Sequence, residues 1–73
     1  MANTVLDFKG LKCPQPVLKT AIKASQLPAG TVIEVHADCA SFPDDVRKWC
    51  TDMGKVLINL VDNGTYRVAT IQL

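Results

Sequence analysis

The chain has 73 residues, of which 48% are apolar, and its formal net charge is +1 at pH 7. This length supports one small domain and excludes a deep active-site cavity, so any chemistry is expected to be shallow and shared with a partner. The basic residues are scattered, which does not indicate nucleic-acid binding, and no apolar run is long enough to cross a membrane. Since the amino terminus shows no signal-peptide pattern, we expect a cytoplasmic protein.

Apolar periodicity and turn residues predict six elements along the chain. Alternating polarity indicates strands, a period of three to four residues indicates helices, and Asn63-Gly64 suits the positive φ angles of a tight hairpin turn. In chain order the elements are a strand over 4–8, a helix over 14–26, a strand over 31–37, a helix over about 42–53, and strands over 55–61 and 66–72.

Each predicted helix has an apolar stripe that is expected to face a sheet. The stripe of the first helix consists of Val17, Leu18, Ala21 and Ile22, and that of the second of Phe42, Val46, Trp49, Cys50 and Met53. Ser41 and Asp44 have the spacing of a variant capping box at the start of the second helix. Gly54 predicts its end.

The order of elements predicts the fold class. Strand–helix–strand units of this length make parallel neighbouring strands with right-handed crossovers, which place both helices on the same side of the sheet. We therefore predict a single domain over residues 1–73 with an α/β (α+β) fold. It is a two-layer βαβαββ sandwich, with a four-stranded mixed sheet and two helices on one face.

Cys13 lies just before the first helix. Unpaired backbone N–H groups and the helix dipole favour an anion there, and the thiolate is the reactive form of cysteine. The chain has three cysteines, Cys13, Cys39 and Cys50, an odd number whose spacing fits neither a disulfide framework nor a zinc ribbon. Free thiols in a reducing compartment are the simpler interpretation. The alternative is that Cys13 is a small apolar filler.

Cys13 begins a C-P-x-P motif, which is a redox C-x-x-C motif with its second cysteine replaced by Pro16. In C-x-x-C the second thiol releases whatever is bound to the first. Without it, a sulfur atom bound to Cys13 would persist as a persulfide. Lys12 and the N–H groups of the first helix would hold the anion, while Pro14 and Pro16 would shape the loop.

The chain resembles the TusA/SirA-like sulfur-carrier family over residues 6–71. The resemblance depends on Leu6-Asp7, Gly10-Leu11, the block Cys13-Pro14-Gln15-Pro16-Val17-Leu18, Gly30, Glu34-Val35, Ala37-Asp38, Asp45-Val46, Trp49, Gly54 and Leu57. It implies the same βαβαββ fold and a sulfurtransferase that acts as a protein sulfur carrier. The C-P-x-P cysteine, here Cys13, would be the catalytic residue that accepts sulfane sulfur.

The resemblance also implies partners. A cysteine desulfurase or a rhodanese-type protein would donate the sulfur and an acceptor protein would receive it, with no cofactor beyond the covalent persulfide, no metal and no direct contact with nucleic acid or membrane. tRNA thiolation, molybdenum-cofactor synthesis, selenium metabolism and sulfur oxidation all remain open as the pathway.

The chain departs from the family after the second strand. Relatives usually have Ala-Asp-Asp-Pro there, whereas this chain has Ala37-Asp38-Cys39-Ala40, and Lys55 stands where a histidine often follows Gly54. If the first two strands are parallel neighbours, Cys13 and Cys39 lie at the same edge of the sheet. We therefore consider Cys39 a candidate resolving or second sulfur-binding thiol, and the alternative is a solvent-facing or capping-loop cysteine with no role. Asp38 is a further candidate at this edge, with ordinary helix capping as its alternative role.

Two other functions remain open. The domain could be a regulatory or adaptor module whose thiol is incidental, or a redox- or metal-sensing domain that uses Cys13, Cys39 and His36. A zinc site needs more ligands in fixed geometry than this spacing provides, so His36 is expected to be a surface residue. Cys50 lies on an apolar helix stripe and is expected to be buried and inert.

Overall fold

The computed structural model describes residues 4–12 and 15–73. Its elements follow the predicted order and agree with the predicted bounds to within one residue at each end. They are β1 (Thr4–Asp7), α1 (Gln15–Ser25), β2 (Val32–Ala37), α2 (Phe42–Met53), β3 (Val56–Asp62) and β4 (Arg67–Gln72).

The strands form one four-stranded mixed sheet, and the helices cover one of its faces. Alternate residues of β2, Ile33, Val35 and Ala37, point into the core and are fully buried. Phe42 and Val46 of α2 pack against them as part of the same apolar cluster. The predicted two-layer α+β architecture is therefore confirmed.

The strand order is β1-β2-β4-β3. β1 and β2 are parallel neighbours, as predicted, with Leu6 opposite Val35. The prediction that β2 and β3 are also neighbours is wrong, because β4 lies between them and is antiparallel to both. The reason is burial: β4 contributes the fully buried Ala69 and Ile71, whereas β3 has no buried residue and occupies the edge.

The apolar stripe predicted for α1 is partly wrong. Leu18 and Ile22 are 55% and 60% exposed, whereas Pro16 and Thr20 are buried. The Thr20 hydroxyl donates a hydrogen bond to the Pro16 carbonyl oxygen (2.7 Å). Since this bond satisfies the hydroxyl, Thr20 can be buried although the predicted apolar stripe did not include it.

The two ends of α2 differ in how well they were predicted. Ser41 is the N-cap residue but makes no side-chain cap bond, so the predicted capping box is wrong. Its hydroxyl donates to the Asp45 carboxylate instead (2.8 Å). Gly54 does end the helix, in the left-handed conformation at φ +69°, and the Lys55 N–H donates to the Cys50 carbonyl (2.8 Å). Met53, the last residue of the predicted stripe, is 59% exposed.

The β3–β4 hairpin contains two irregular features. Gly64 has φ +90° and donates its N–H to the Asp62 carboxylate (2.8 Å). Asn63 does not share the positive φ expected of it, because among the described residues only glycines have one. In β3 the pairing with β4 shifts between Leu57 and Asn59, which marks a β-bulge at the exposed Ile58.

A pair of isoleucines tests this assignment of core and surface. Ile33→Ala removes a fully buried side chain and should lower the free energy of unfolding by about 3 kcal/mol. Ile22→Ala makes the same chemical change on the exposed face of α1 and should change it by less than about 0.5 kcal/mol. Urea denaturation of both variants measures the difference. Equal losses of stability in the two variants would contradict the placement of Ile33 in the core and of Ile22 on the surface.

Candidate functional site

The loop that leads from β1 to α1 is attached to the end of β2. The Phe8 N–H donates to the His36 carbonyl (2.8 Å), which extends the parallel pairing by one residue. Two residues later the Gly10 N–H donates to both carboxylate oxygens of Asp38, at 3.1 and 3.0 Å. Gly10 has φ +88°, a conformation that other residues rarely adopt. Asp38 therefore holds the turn that precedes the C-P-x-P motif.

Cys13 and Pro14 lie outside the described residues, so their predicted roles remain predictions. The residues that flank them are described. The Gln15 N–H at the start of α1 donates to the Lys12 carbonyl (2.8 Å), and Lys12 is exposed. Pro16 is fully buried in the first turn of α1. An exposed lysine thus precedes the motif, and the last residue of the motif is a buried proline.

Cys39 lies two residues beyond the end of β2. Cys39 is 8% exposed, and its Sγ lies 3.6 Å from the Ser41 Oγ. Its carbonyl accepts a hydrogen bond from the Phe42 N–H (3.1 Å) at the start of α2. Cys39 is disulfide-bonded, whereas Cys50 is free. Although Cys39 lies in the loop after β2, it is a buried member of the apolar core cluster.

The sequence did not predict the hydrogen bonds that Asp38 accepts from the Gly10 backbone. Ordinary helix capping was its alternative role, yet its carboxylate binds the backbone of a loop 28 positions away. A sequence signal exists: a glycine closely follows the first strand, and a carboxylate directly follows its predicted parallel neighbour. Groups that follow parallel neighbouring strands meet at the same sheet edge.

Two other residues have surroundings that the sequence did not predict. His36 was expected at the surface, but it is partly buried and stacks on Tyr66, with ring centroids 5.6 Å apart. Its Nε2 is buried and has no hydrogen-bond partner among the residues that the structure describes. The Lys9 ammonium lies 4.6 Å from the centre of the Tyr66 ring and 3.9 Å from Asp7. Lys9 thus contacts both the Tyr66 ring and the Asp7 carboxylate.

A groove of about 310 Å³ runs between β1 and α1. Its walls combine apolar and basic side chains, namely Leu6, Phe8, Ile22, Gln26, Lys19 and Lys23.

The described ranges 4–12 and 15–73 hold no cluster of three or more histidine, cysteine, aspartate or glutamate side chains arranged to bind a metal. Within the same part of the chain, neither helix has the length and apolar character that crossing a membrane requires.

Comparison with known proteins identifies the family. The family model described as sulfurtransferase TusA matches residues 4–72, which is nearly the whole chain. The chain belongs to the TusA family.

Relatives agree with this assignment. The chain is 35% identical to the putative sulfur carrier protein YrkI of Bacillus subtilis over 63 residues, which cover 86% of this chain and 84% of YrkI. It is 37% identical to the sulfur carrier protein TusA of Pseudomonas syringae pv. syringae over 62 residues, covering 84% and 74% of the two chains. The crystal structure of a SirA-like protein from Desulfitobacterium hafniense has the same fold, with a TM-score of 0.82. It covers 94% of this chain and 95% of that chain at 24% identity.

The bond between Asp38 and Gly10 can be tested directly. A hydrogen bond to a charged acceptor contributes about 1.5–3 kcal/mol, so Asp38→Ala should speed amide hydrogen exchange at Gly10 by roughly tenfold or more. Asp38→Asn keeps one acceptor oxygen and should have a smaller effect. Asp52→Ala removes a carboxylate that pairs with Lys48 on the surface of α2, and it should leave Gly10 unchanged. Unchanged exchange in Asp38→Ala would show that the bond does not hold the loop.

The reactivity of Cys50 should depend on folding. Burial raises the pKa of the Cys50 thiol because it disfavours the thiolate. The pKa of Cys50 is therefore higher in the folded chain than in the unfolded chain. The neutral thiol contributes fully to stability at pH values below the unfolded-state pKa. This contribution is lost as the pH rises through the folded-state pKa. At pH 8 iodoacetamide should therefore alkylate Cys50 at least roughly tenfold more slowly in the native chain than in urea. Peptide mass mapping measures this, and equal rates would contradict the burial.

Proposed function

We propose that this TusA-family chain carries sulfane sulfur as a persulfide on Cys13. A donor protein would transfer the outer sulfur to the Cys13 thiolate, and an acceptor would remove it by nucleophilic attack on that sulfur. The observation that carries the proposal is the family match over residues 4–72 together with the C-P-x-P motif, which lacks a second thiol in the adjacent turn.

The described surroundings of the motif support this chemistry. Asp38 holds the turn at Gly10, which precedes the motif, and Pro16, the last residue of the motif, is buried in the first turn of α1. The exposed Lys12 comes directly before Cys13 in the sequence, and its positive charge would favour the thiolate.

The outer face of α1 supports contact with partner proteins. Leu18 and Ile22 are exposed apolar residues of α1, and Ile22 lines the groove between α1 and β1 together with Lys19 and Lys23. A partner with an acidic rim and an apolar centre would match this surface, since complementary charge speeds association and apolar burial stabilises the complex. We propose a cysteine desulfurase or a rhodanese-type protein as the donor, and a separate sulfur-accepting protein downstream.

The decisive experiment is sulfur loading. Incubation of the reduced chain with cysteine and a cysteine desulfurase should add one sulfur atom, about 32 Da, to the tryptic peptide 13–19. Cys13→Ser should take up none, and Cys50→Ala should load like the parent chain because its thiol is buried in the core. Equal loading of Cys13→Ser would refute the assignment. An adaptor with an incidental thiol would instead keep its function in Cys13→Ser.

A further inference from the structure

Cys39 is a second cysteine, and it lies at the sheet edge where β1 and β2 both end. It follows β2, the parallel neighbour of β1, and its neighbour in sequence, Asp38, binds the Gly10 backbone three residues before Cys13. The Asp38–Gly10 bond therefore joins the segment that holds Cys39 to the loop that precedes the motif. Neither the family match nor the C-P-x-P motif gives Cys39 a function.

Two observations distinguish Cys39 from an ordinary loop thiol. It is disulfide-bonded, and at 8% exposure it is nearly inaccessible to another protein. A thiol in this position can react with a group of its own chain far more readily than with a donor or acceptor. Cys50 is no substitute for it, because that thiol is free, buried in the core and disfavoured as a thiolate.

We propose that Cys39 is the resolving thiol for sulfur carried on Cys13, an inference that rests on the function proposed above. The Cys39 thiol gives its proton to water, and its thiolate attacks the inner sulfur, Sγ, of the Cys13 persulfide. The bond between that Sγ and the outer sulfur breaks, the outer sulfur leaves as hydrosulfide with the bonding electron pair, and a Cys13–Cys39 disulfide forms. A dithiol reductant then supplies two electrons and two protons and restores both thiols.

This step gives the carrier two ways to unload. With an acceptor docked, the outer sulfur passes to the acceptor and Cys39 stays reduced. Without one, Cys39 releases the sulfur as sulfide and leaves a disulfide that blocks further loading until it is reduced. Position 16 holds a proline where C-x-x-C has its resolving cysteine, and the loop after β2 supplies the resolving thiol instead. Because the disulfide must be reduced before the chain can be loaded again, reloading depends on the available dithiol reductant.

The placement of tryptic sites makes the test direct. Trypsin separates the three cysteines, because peptide 13–19 carries Cys13, peptide 24–47 carries Cys39 and peptide 49–55 carries Cys50. The full chain is reduced, loaded with inorganic polysulfide and freed of excess reagent. Sulfide release and peptide masses are then followed with time in the parent chain, in Cys39→Ser and in the control Cys50→Ala.

The parent chain and Cys50→Ala should release one sulfide per loaded chain and yield a 13–19/24–47 disulfide-linked peptide. Cys39→Ser should keep its persulfide roughly tenfold longer or more and yield no linked peptide. If the parent chain loads but loses sulfur no faster than Cys39→Ser, the resolving role is overturned and the carrier function stands. If peptide 13–19 takes up no sulfur in any variant, the carrier function fails and the resolving step fails with it.

The linked peptide provides a second readout that needs no substituted chain. Mild oxidation of the reduced parent chain with diamide should join peptides 13–19 and 24–47 and leave peptide 49–55 unmodified. Absence of that link would overturn the proposal whether or not Cys39→Ser folds.

Discussion

Parallel pairing of β1 with β2 is the constraint on which the site depends. Leu6 lies opposite Val35, so both strands end at the same edge, and the loops that leave the two strands are brought together there. Gly10 and Asp38 then meet as backbone donor and carboxylate acceptor. The apolar residues that fix this register also fix the site, because a slip of β1 by one residue would turn Leu6 away from the core.

The sequence predicted the elements well because each has a strong local signal. Alternation at β2 and the glycine after α2 correspond directly to the observed Ile33, Val35 and Ala37 core face and to the left-handed Gly54. The strand order needed non-local information. A hairpin makes β3 and β4 neighbours, but which of them contacts β2 depends on how much apolar surface each buries in the assembled sheet.

The same distinction applies to the site. Lys12, Pro14, Pro16 and Cys13 could be proposed from one contiguous motif, since the chemistry of a helix start is local. The hydrogen bond from Gly10 to Asp38 spans 28 positions and becomes visible only when the register is known. The buried Thr20 was missed for a related reason, because a pattern of apolar residues cannot show that a hydroxyl is satisfied by the Pro16 carbonyl of its own helix.

The bulge in β3 changes the exposed edge of the sheet. β3 is an edge strand with Val56, Ile58 and Val61 all exposed, a surface that in regular form could extend a sheet by pairing with a second copy. The extra residue between Leu57 and Asn59 interrupts the hydrogen-bonding rhythm and increases the local twist. An approaching strand cannot match this edge along its whole length. The irregularity therefore lets an apolar edge stay exposed to solvent while opposing strand-by-strand growth into larger sheets.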